Sequence, residues 1–253
     1  IDEFKKLLNK DVCFVSIMHV NNETGAVNDL QRIVKLTKAV APNAIVHSDG
    51  VQALMKVKVN LMNLGVDMYS VSAHKVHAPR GVGGLYIRKG VRINPLILGG
   101  GQEKGLRSAT ENLAGIVAFS KILEKYDKMF NENVEKRKVV LDYLRQKISE
   151  TMPEHLIVSP ENSPHILMLA LKGVRGEVML HSLEDYGILI GVGSACSSKK
   201  GINKFQSLLS LDDEHKEGII RISVSETNTI EECDFFLEKL KYLTDKLTDY
   251  KRI

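Results

Sequence analysis

The sequence has few cysteines, no long apolar run and no strong excess of charge of either sign. Its three cysteines, Cys13, Cys196 and Cys233, are odd in number and lack the spacing of metal ligands. This excludes a disulfide framework and is typical of a reducing compartment, so we expect a cytoplasmic protein without a bound metal. No stretch reaches the roughly 18 apolar residues of a membrane span. No secretory signal is visible either, so we expect no membrane association.

The charge pattern gives no indication of a nucleic-acid-binding protein. The formal net charge of the 253 residues is +4, and lysines and arginines are mixed with acidic residues through the predicted helices. Because the basic residues do not cluster with aromatic residues, we expect no direct binding of nucleic acid. The hydrophobic share of 43% is that of an ordinary globular protein. The length allows one large domain or two smaller ones.

Short apolar runs alternate with helical patterns in the first half of the chain. They predict strands over 11–18, 44–48, 67–71 and 83–88. They also predict a helix over 2–9, a helix over 30–40 that is capped by Asn28 or Asp29, and a turn or short helix over 61–65. This order predicts an α/β fold with a mainly parallel sheet. Ligands of such sheets bind at the carboxyl ends of the strands. Three polar segments fall there: Asn21–Asn22, Asp49–Gln52 and Ser72–Lys75.

The second half of the chain has a different pattern. It predicts long helices over 111–129 and 135–148 separated by the polar segment Asn131–Asn133, strands over 165–171 and 219–224, and helices over 177–186 and 229–247. This order is typical of a smaller α+β domain. We therefore expect a boundary near residue 130, with a cofactor-binding domain over 1–130 and a small domain over 131–253.

The segment Ser72–Lys75 is the first candidate for chemistry. A lysine at the end of a buried strand can form a Schiff base, although most lysines lie on a surface. The Ser72 hydroxyl and the His74 imidazole offer donors for a phosphate, and the glycines that follow allow backbone to approach a ligand closely. Lys75 is therefore the predicted site of covalent cofactor attachment.

Asp49 and Gln52 complete this prediction. An acid at the end of a strand can hold a pyridinium nitrogen, and an amide can donate to a phenolic oxygen. The alternatives are a carboxylate that caps a turn and a surface amide. Taken together with Lys75, the two residues indicate pyridoxal 5'-phosphate (PLP) chemistry.

Cys196 is the only candidate for a sulfur nucleophile. It lies among small residues in 191–198 and is followed by Lys199 and Lys200. Such a segment is typical of an accessible loop, and positive charge nearby favours the thiolate. We expect Cys13 in its apolar run to be a core residue, and Cys233 in its predicted helix to have no chemical role.

Arg221 interrupts a strand that is otherwise apolar. A charge in such a place needs a partner, which is either the carboxylate of a substrate or an acidic residue of the same chain. The polar, glycine-rich segment Gly99–Thr110 is either a functional loop or a connection.

Five segments, in this order along the chain, resemble motifs of one family. They are His19–Gly25 for H-x-N-N-E-x-G, Asp49 with Gln52 for D-x-x-Q, Ser72–Lys75 for S-x-H-K, Gly99–Thr110 for G-G-G-Q-E-x-G-x-R-S-x-T, and Gly193–Cys196 for G-S-A-C. The chain thereby resembles the cysteine desulfurases of the NifS/IscS-like group, which have the class V aminotransferase fold (PLP fold type I).

The resemblance implies an enzyme that converts L-cysteine to L-alanine and passes the sulfur to acceptors, such as a scaffold protein of iron–sulfur cluster assembly or the tRNA thiolation machinery. It implies a homodimer, in which one subunit contacts the cofactor of the other. The resemblance implies that Lys75 binds the cofactor covalently, that Asp49 and Gln52 contact its ring, and that Ser72 and His74 bind its phosphate. It implies that Thr110 reaches the phosphate of the cofactor in the other subunit. It also implies that Asn22 contacts cofactor and substrate, that Arg221 binds the substrate carboxylate, and that Cys196 takes up the sulfur.

The resemblance leaves alternatives. Family members carry a substantial N-terminal segment that the printed sequence does not contain, and the first residue is Ile1 rather than Met. We therefore expect a longer parent chain, and a truncated, inactive scaffold subunit is one alternative. A selenocysteine lyase or an aminotransferase of the same fold is the other.

Overall fold

The computed structural model describes residues 1–192 and 208–250. The chain divides into two compact units. The first contains Ile1–Val20 and Asn28–Phe130, and the second contains Asn21–Val27 and Asn131–Ile253. The assignment of 1–130 to a cofactor-binding domain and of 131–253 to a small domain stays a prediction.

The first unit contains a four-stranded sheet. Its strands are β1 (Phe14–Met18), β2 (Ile45–Asp49), β3 (Met68–Ser72) and β4 (Gly83–Ile87), in that order across the sheet. The pairs β1–β2 and β2–β3 are parallel, and β4 is antiparallel to β3. The helices are α1 (Asp2–Leu7), α2 (Leu30–Val40), α3 (Leu61–Leu64) and α4 (Leu113–Lys128), with 3-10 turns at Ala73–Val76 and Glu103–Gly105. The predicted α/β fold with a mainly parallel sheet is confirmed.

Local sequence fixes the ends of these helices. Asp29 is the N-cap of α2, and its side chain accepts a hydrogen bond from the Arg32 backbone N–H at 3.0 Å. Gly65 ends α3 in the left-handed conformation, with φ of 75°. The buried stripe of α2 packs against the inner face of the sheet, in a cluster that includes Val15, Val46 and Tyr69.

The second unit is an antiparallel sheet covered by helices. Its elements are α5 (Phe130–Thr151), β5 (Leu156–Ile157), β6 (Ile166–Ala170), α6 (Gly176–Glu184), β7 (Gly191–Val192), β8 (Ile219–Ser223) and α7 (Ile230–Tyr250). The strand order is β5-β6-β8-β7. Side chains of α5, α6 and α7 form one core with side chains of β6 and β8. All five residues of β6 are buried, which places this strand at the centre of the unit.

The start of the last helix of this unit follows from side chains. The Thr229 Oγ1 accepts from the Glu232 N–H at 3.3 Å, and the Glu232 carboxylate accepts from the Thr229 N–H at 3.2 Å. This reciprocal capping box starts α7.

The predicted break at Asn131–Asn133 is wrong, because α5 already begins at Phe130 and Asn133 is buried within it.

The structure places two of the cysteines. Cys13 is exposed rather than part of the core, since it precedes β1, which is an edge strand of its sheet. Cys233 is buried in α7. Burial first, and then the charges of neighbouring acids, raise the pKa of Cys233 to about 11, so it remains a thiol at neutral pH. Cys196 lies outside the described residues.

No helix within residues 1–192 and 208–250 combines the length and the apolar character needed to cross a membrane.

Helix α5 supplies a test of the second core. Leu144 is 2% exposed and Val139 is 49% exposed on the same helix. We expect Leu144→Ala to lower the free energy of unfolding by about 2–5 kcal/mol, because it removes buried methyl groups and leaves a cavity. Val139→Ala is the matched control and should change it by no more than about 0.5 kcal/mol. Denaturant unfolding measures both, and equal losses would contradict this placement.

Candidate active site

Asp49 is the last residue of β2 and is partly buried. Its Oδ1 accepts a hydrogen bond from the Val51 backbone N–H at 2.9 Å, which fixes the carboxylate at the turn that follows. In the sheet Asp49 pairs with Met18 of β1 and with Ser70 of β3. The carboxylate therefore lies at the carboxyl end of a central parallel strand, where ligands of such sheets bind.

The next parallel strand, β3, leads into the predicted lysine. β3 ends at Ser72, and a 3-10 turn over Ala73–Val76 carries Lys75. The Ser72 Oγ and the His74 Nδ1 are hydrogen-bonded at 2.8 Å. The Lys75 side chain is exposed, while the carbonyl oxygen of Lys75 accepts from the Lys56 Nζ at 2.9 Å. The turn is thus held by its backbone and presents its amine to the outside of the unit.

Glycine lets β4 pair closely with β3, the strand that precedes this turn. A Cβ on Gly83 would lie 2.7 Å from the carbonyl oxygen of Val71, which is closer than any real Cβ contact. The close pairing of β3 and β4 therefore requires glycine at position 83. The sequence predicts that these glycines allow backbone to approach a ligand; the structure shows a packing reason for Gly83.

Gln52 and Thr110 belong to the same unit but occupy different surroundings. Gln52 lies partly buried in the turn that follows β2. Thr110 is exposed and lines an open cavity of about 580 Å³, together with Gly83, Leu85, Arg107 and Ile116. Asp49, Ser72 and Lys75 do not line this cavity.

Arg221 lies on β8 in the second unit, between Met168 of β6 and Gly191 of β7. Its Nη1 donates to the backbone carbonyl oxygen of Asn22 at 3.0 Å. A Cβ at position 191 would lie 3.0 Å from Arg221 Nη2, so glycine on β7 gives the guanidinium room. The structure therefore brings together two residues that the sequence had singled out, Asn22 and Arg221.

Glu23 is a contact of this site that the sequence does not predict. Its Oε1 lies 3.8 Å from Arg221 Nη1, and its side chain is 12% exposed. Glu23 Oε2 is buried without a hydrogen-bond partner among the described residues. Of the two predicted partners of Arg221, the acid of its own chain is therefore present at a long distance, and 29% of the Arg221 side chain stays exposed.

The loop that carries Asn22 and Glu23 is fixed within the second unit. The Asn21 Oδ1 accepts from the backbone N–H groups of Glu23 and Thr24 at 2.9 and 2.8 Å. Gly25 has φ of 74°, and a Cβ there would lie 1.9 Å from the Ser163 Oγ. The glycine of the His19–Gly25 motif is therefore required both by backbone conformation and by close packing.

Within the described residues, no group of three or more histidine, cysteine, aspartate or glutamate side chains is arranged to hold a metal ion.

Comparison with known proteins assigns the chain to a protein family. Residues 1–236 match the family model described as aminotransferase class-V. The chain belongs to this family. The class V aminotransferase chain is 42% identical over 246 residues to a NifS/IcsS protein homolog from Lactobacillus delbrueckii subsp. bulgaricus, covering 93% of this chain and 62% of the relative. It is 35% identical over 249 residues to a cysteine desulfurase IscS from Dictyoglomus turgidum, covering 97% of this chain and 63% of the relative. The chain thus spans about three-fifths of these relatives.

Solved structures agree with this assignment. A NifS-like protein superimposes with a TM-score of 0.88 at 34% sequence identity, over 97% of this chain and 65% of that one. A NifS-like protein from Rickettsia africae ESF-5 superimposes with a TM-score of 0.84 at 29% identity, over 96% of this chain and 65% of that one. The class V aminotransferase fold predicted from the motifs is confirmed.

The class V aminotransferase family depends on PLP, and the first unit has the donor set that this cofactor needs. Asp49 offers a carboxylate for a ring nitrogen, and the Ser72–His74 pair offers a hydroxyl and an imidazole for a phosphate. Lys75 offers an exposed amine in the turn after β3. Because Asp49 pairs with Ser70 across β2 and β3, these groups follow adjacent strands of one sheet. The residues fit the cofactor.

Proposed function

We propose that the protein is a PLP-dependent cysteine desulfurase, which converts L-cysteine to L-alanine and takes up the sulfur on Cys196 as a persulfide. The observation that carries this proposal is the placement of Asp49 and of the Ser72–Lys75 turn at the carboxyl ends of paired parallel strands. The names of the relatives, cysteine desulfurase among them, support the reaction.

In this proposal the first unit is the C-terminal part of the cofactor-binding domain. Lys75 binds the cofactor covalently, Asp49 holds its ring nitrogen, and Gln52 donates to its phenolic oxygen. Ser72 and His74 hold the phosphate. When bound, the cofactor withdraws electrons from the substrate's Cα. Asp49 favours this chemistry because a carboxylate beside the ring nitrogen keeps that nitrogen protonated.

Substrate binding is assigned to the second unit. The guanidinium of Arg221 carries five N–H donors, and one nitrogen is engaged by the Asn22 carbonyl. We assign the remaining donors to the carboxylate of L-cysteine, in the bidentate geometry that a guanidinium favours. Asn22 contacts both substrate and cofactor. Glu23 Oε1 lies 3.8 Å from the same Nη1 and limits the movement of the guanidinium.

This assignment predicts the effect of Arg221→Lys. Lysine keeps the charge but loses the planar pair of donors. We expect the KM for L-cysteine to rise about ten- to hundred-fold, the factor for a lost hydrogen bond to a charged group, with a smaller change in kcat. Arg175→Lys, on an arginine whose side chain is 58% exposed in the same unit, is the control and should leave both constants unchanged. An unchanged KM in Arg221→Lys would leave Arg221 only a structural role.

Cys196 is proposed as the sulfur acceptor within the protein. Its thiolate forms a sulfur–sulfur bond with the substrate as the carbon–sulfur bond of the substrate breaks. The carbon keeps the electron pair and takes up a proton, so that alanine leaves. The persulfide then transfers its outer sulfur to an acceptor protein, such as a scaffold of iron–sulfur cluster biogenesis, or to the tRNA thiolation machinery.

We also propose a cytoplasmic homodimer. Leu96, Leu98 and Leu113 are 94%, 79% and 69% exposed in the first unit. Such large exposed apolar side chains favour association with another protein surface. Leu85 and Ile116 line the cavity that contains Thr110. A second copy over this region would bring Thr110 toward the phosphate of the partner's cofactor.

The function is tested on the protein expressed from its complete gene, supplied with PLP, L-cysteine and a reducing thiol. We expect alanine and sulfide in equal amounts. A clear preference for selenocysteine would favour a selenocysteine lyase, and an oxoacid product without sulfide would favour an aminotransferase. A purified protein without a visible cofactor band, even after addition of PLP, would favour a scaffold subunit and contradict the proposal.

A further inference from the structure

A buried histidine and a buried tyrosine meet beneath the strand end that carries Asp49. His19 follows β1 and is 5% exposed, and Tyr69 lies in β3 and is 2% exposed. The His19 Nδ1 and the Tyr69 hydroxyl are hydrogen-bonded at 2.9 Å. Their rings meet edge to face, with centroids 6.0 Å apart. The function proposed above assigns neither side chain a role.

This pair spans three strands at one level of the sheet. β1 and β3 do not pair with each other, because β2 lies between them. The bridge crosses β2 at Gly50, where a Cβ would lie within 2.3 Å of the Tyr69 ring and hydroxyl. Gly50 directly follows Asp49, so the absence of a side chain there makes room for the bridge.

The backbone is joined at the same level. The His19 N–H donates to the carbonyl oxygen of Asp49 at 2.8 Å, and the Gly50 N–H donates to the carbonyl oxygen of Ser70 at 2.8 Å. The peptide unit that joins Asp49 to Gly50 is therefore held through its carbonyl oxygen by the end of β1 and through its N–H by β3. The side-chain bridge adds a third connection between the same strand ends.

The two sides of the sheet carry different groups at this point. Asp49 and Ser70 are register partners and share one face, so Tyr69 lies on the opposite, buried face. Burial lowers the pKa of His19. Burial first, and then the charge of Asp49, raise the pKa of Tyr69. A neutral imidazole and a protonated phenol thus form the bridge without burying a charge.

We propose that His19 and Tyr69 are positioning residues, which fix the strand end at Asp49 so that its carboxylate meets the cofactor ring in one orientation. This inference rests on the proposed cofactor role of Asp49. It assigns a task to the histidine of the His19–Gly25 motif, and it explains why Gly50 and Tyr69 occur together in this chain.

The test compares Tyr69→Phe with Tyr86→Phe. Tyr86 is the register partner of Tyr69 on β4, and its hydroxyl does not bond to His19. Each variant is made in the protein expressed from its complete gene, stripped of cofactor and titrated with PLP by visible absorbance. We expect Tyr69→Phe to weaken PLP binding about three- to ten-fold, the factor for one lost hydrogen bond. It should also shift the pH titration of the bound cofactor's absorbance, because the carboxylate is held less firmly. Tyr86→Phe should change neither.

A second variant separates positioning from simple loss of stability. An amide can both donate and accept, so His19→Asn can still bond the Tyr69 hydroxyl, whereas His19→Leu cannot. We expect His19→Asn to retain PLP affinity within about two-fold of the wild type and His19→Leu to match Tyr69→Phe. Thermal unfolding of each variant records stability separately.

The outcomes are distinct from those of the proposed function. Unchanged PLP affinity and an unchanged absorbance titration in Tyr69→Phe, with or without a loss of stability, would overturn the positioning role. So would equal effects of Tyr69→Phe and Tyr86→Phe. A wild type that binds PLP but releases no sulfide from cysteine contradicts the desulfurase proposal, while the binding comparison still decides the role of the pair. A wild type that takes up no PLP overturns both.

Discussion

Lys75→Ala is expected to abolish covalent attachment of PLP and to lower cysteine turnover by about a hundred- to ten-thousand-fold, the range for loss of a positioned acid–base group. The structure gives two reasons. The amine is exposed on a turn whose neighbours Ala73 and Val76 are buried, so the turn is anchored while the lysine stays available. The Lys56 Nζ also holds the carbonyl oxygen of Lys75 at 2.9 Å, which fixes the backbone from which the amine projects.

The measurement is borohydride reduction followed by mass spectrometry of the digested protein. In the wild type, the peptide that contains Lys75 should carry the cofactor mass, and in Lys75→Ala no peptide should carry it. Lys58→Ala is the matched control, since Lys58 is an exposed lysine of the same unit. It should keep both the labelled Lys75 peptide and turnover. Labelling of another lysine in the wild type would contradict the assignment.

The sequence was sufficient where a local pattern determines the structure. An apolar run followed by a polar segment predicted that Asp49 and Ser72–Lys75 lie at strand ends, and parallel pairing then places them on adjacent strands. The sequence narrows the N-cap of α2 to Asn28 or Asp29 for the same reason, and in the structure the Asp29 side chain bonds a backbone group three residues ahead. Such features depend on contacts between near neighbours in the chain.

The sequence was insufficient where a structural feature depends on contacts between segments that lie far apart in the chain. Glu23 faces Arg221 only because the chain folds two segments 199 residues apart, Asn22 and Arg221, onto each other. The His19–Tyr69 bridge joins residues 50 apart. The strands β5 and β7 have two residues each, too few to produce an alternating pattern. The polar run at Asn131–Asn133 resembled a loop, although helix packing buries Asn133.

The cysteine positions lead to the second strong prediction. Parallel strands begin at one edge of a sheet and end at the other. Cys13 precedes β1, five residues before Met18, which pairs with Asp49. At roughly 3.3 Å per residue this places Cys13 about 16 Å from the level of the carboxylate. Cys233 is buried, with its pKa raised to about 11. Neither cysteine in the described part of the chain is suited to attack a substrate held at the strand ends.

We therefore expect Cys196→Ser to abolish sulfide release from L-cysteine, with a loss on the order of 10⁴-fold, because a serine hydroxyl neither ionises at neutral pH nor accepts sulfur. The visible absorbance of the lysine-bound cofactor should remain, since Lys75, Asp49 and the Ser72–His74 pair are unchanged. Cys13→Ser is the matched control, an exposed cysteine of the same chain, and should retain full turnover. Retained sulfide release in Cys196→Ser, or an equal loss in Cys13→Ser, would show that Cys196 is not the group that takes up the sulfur.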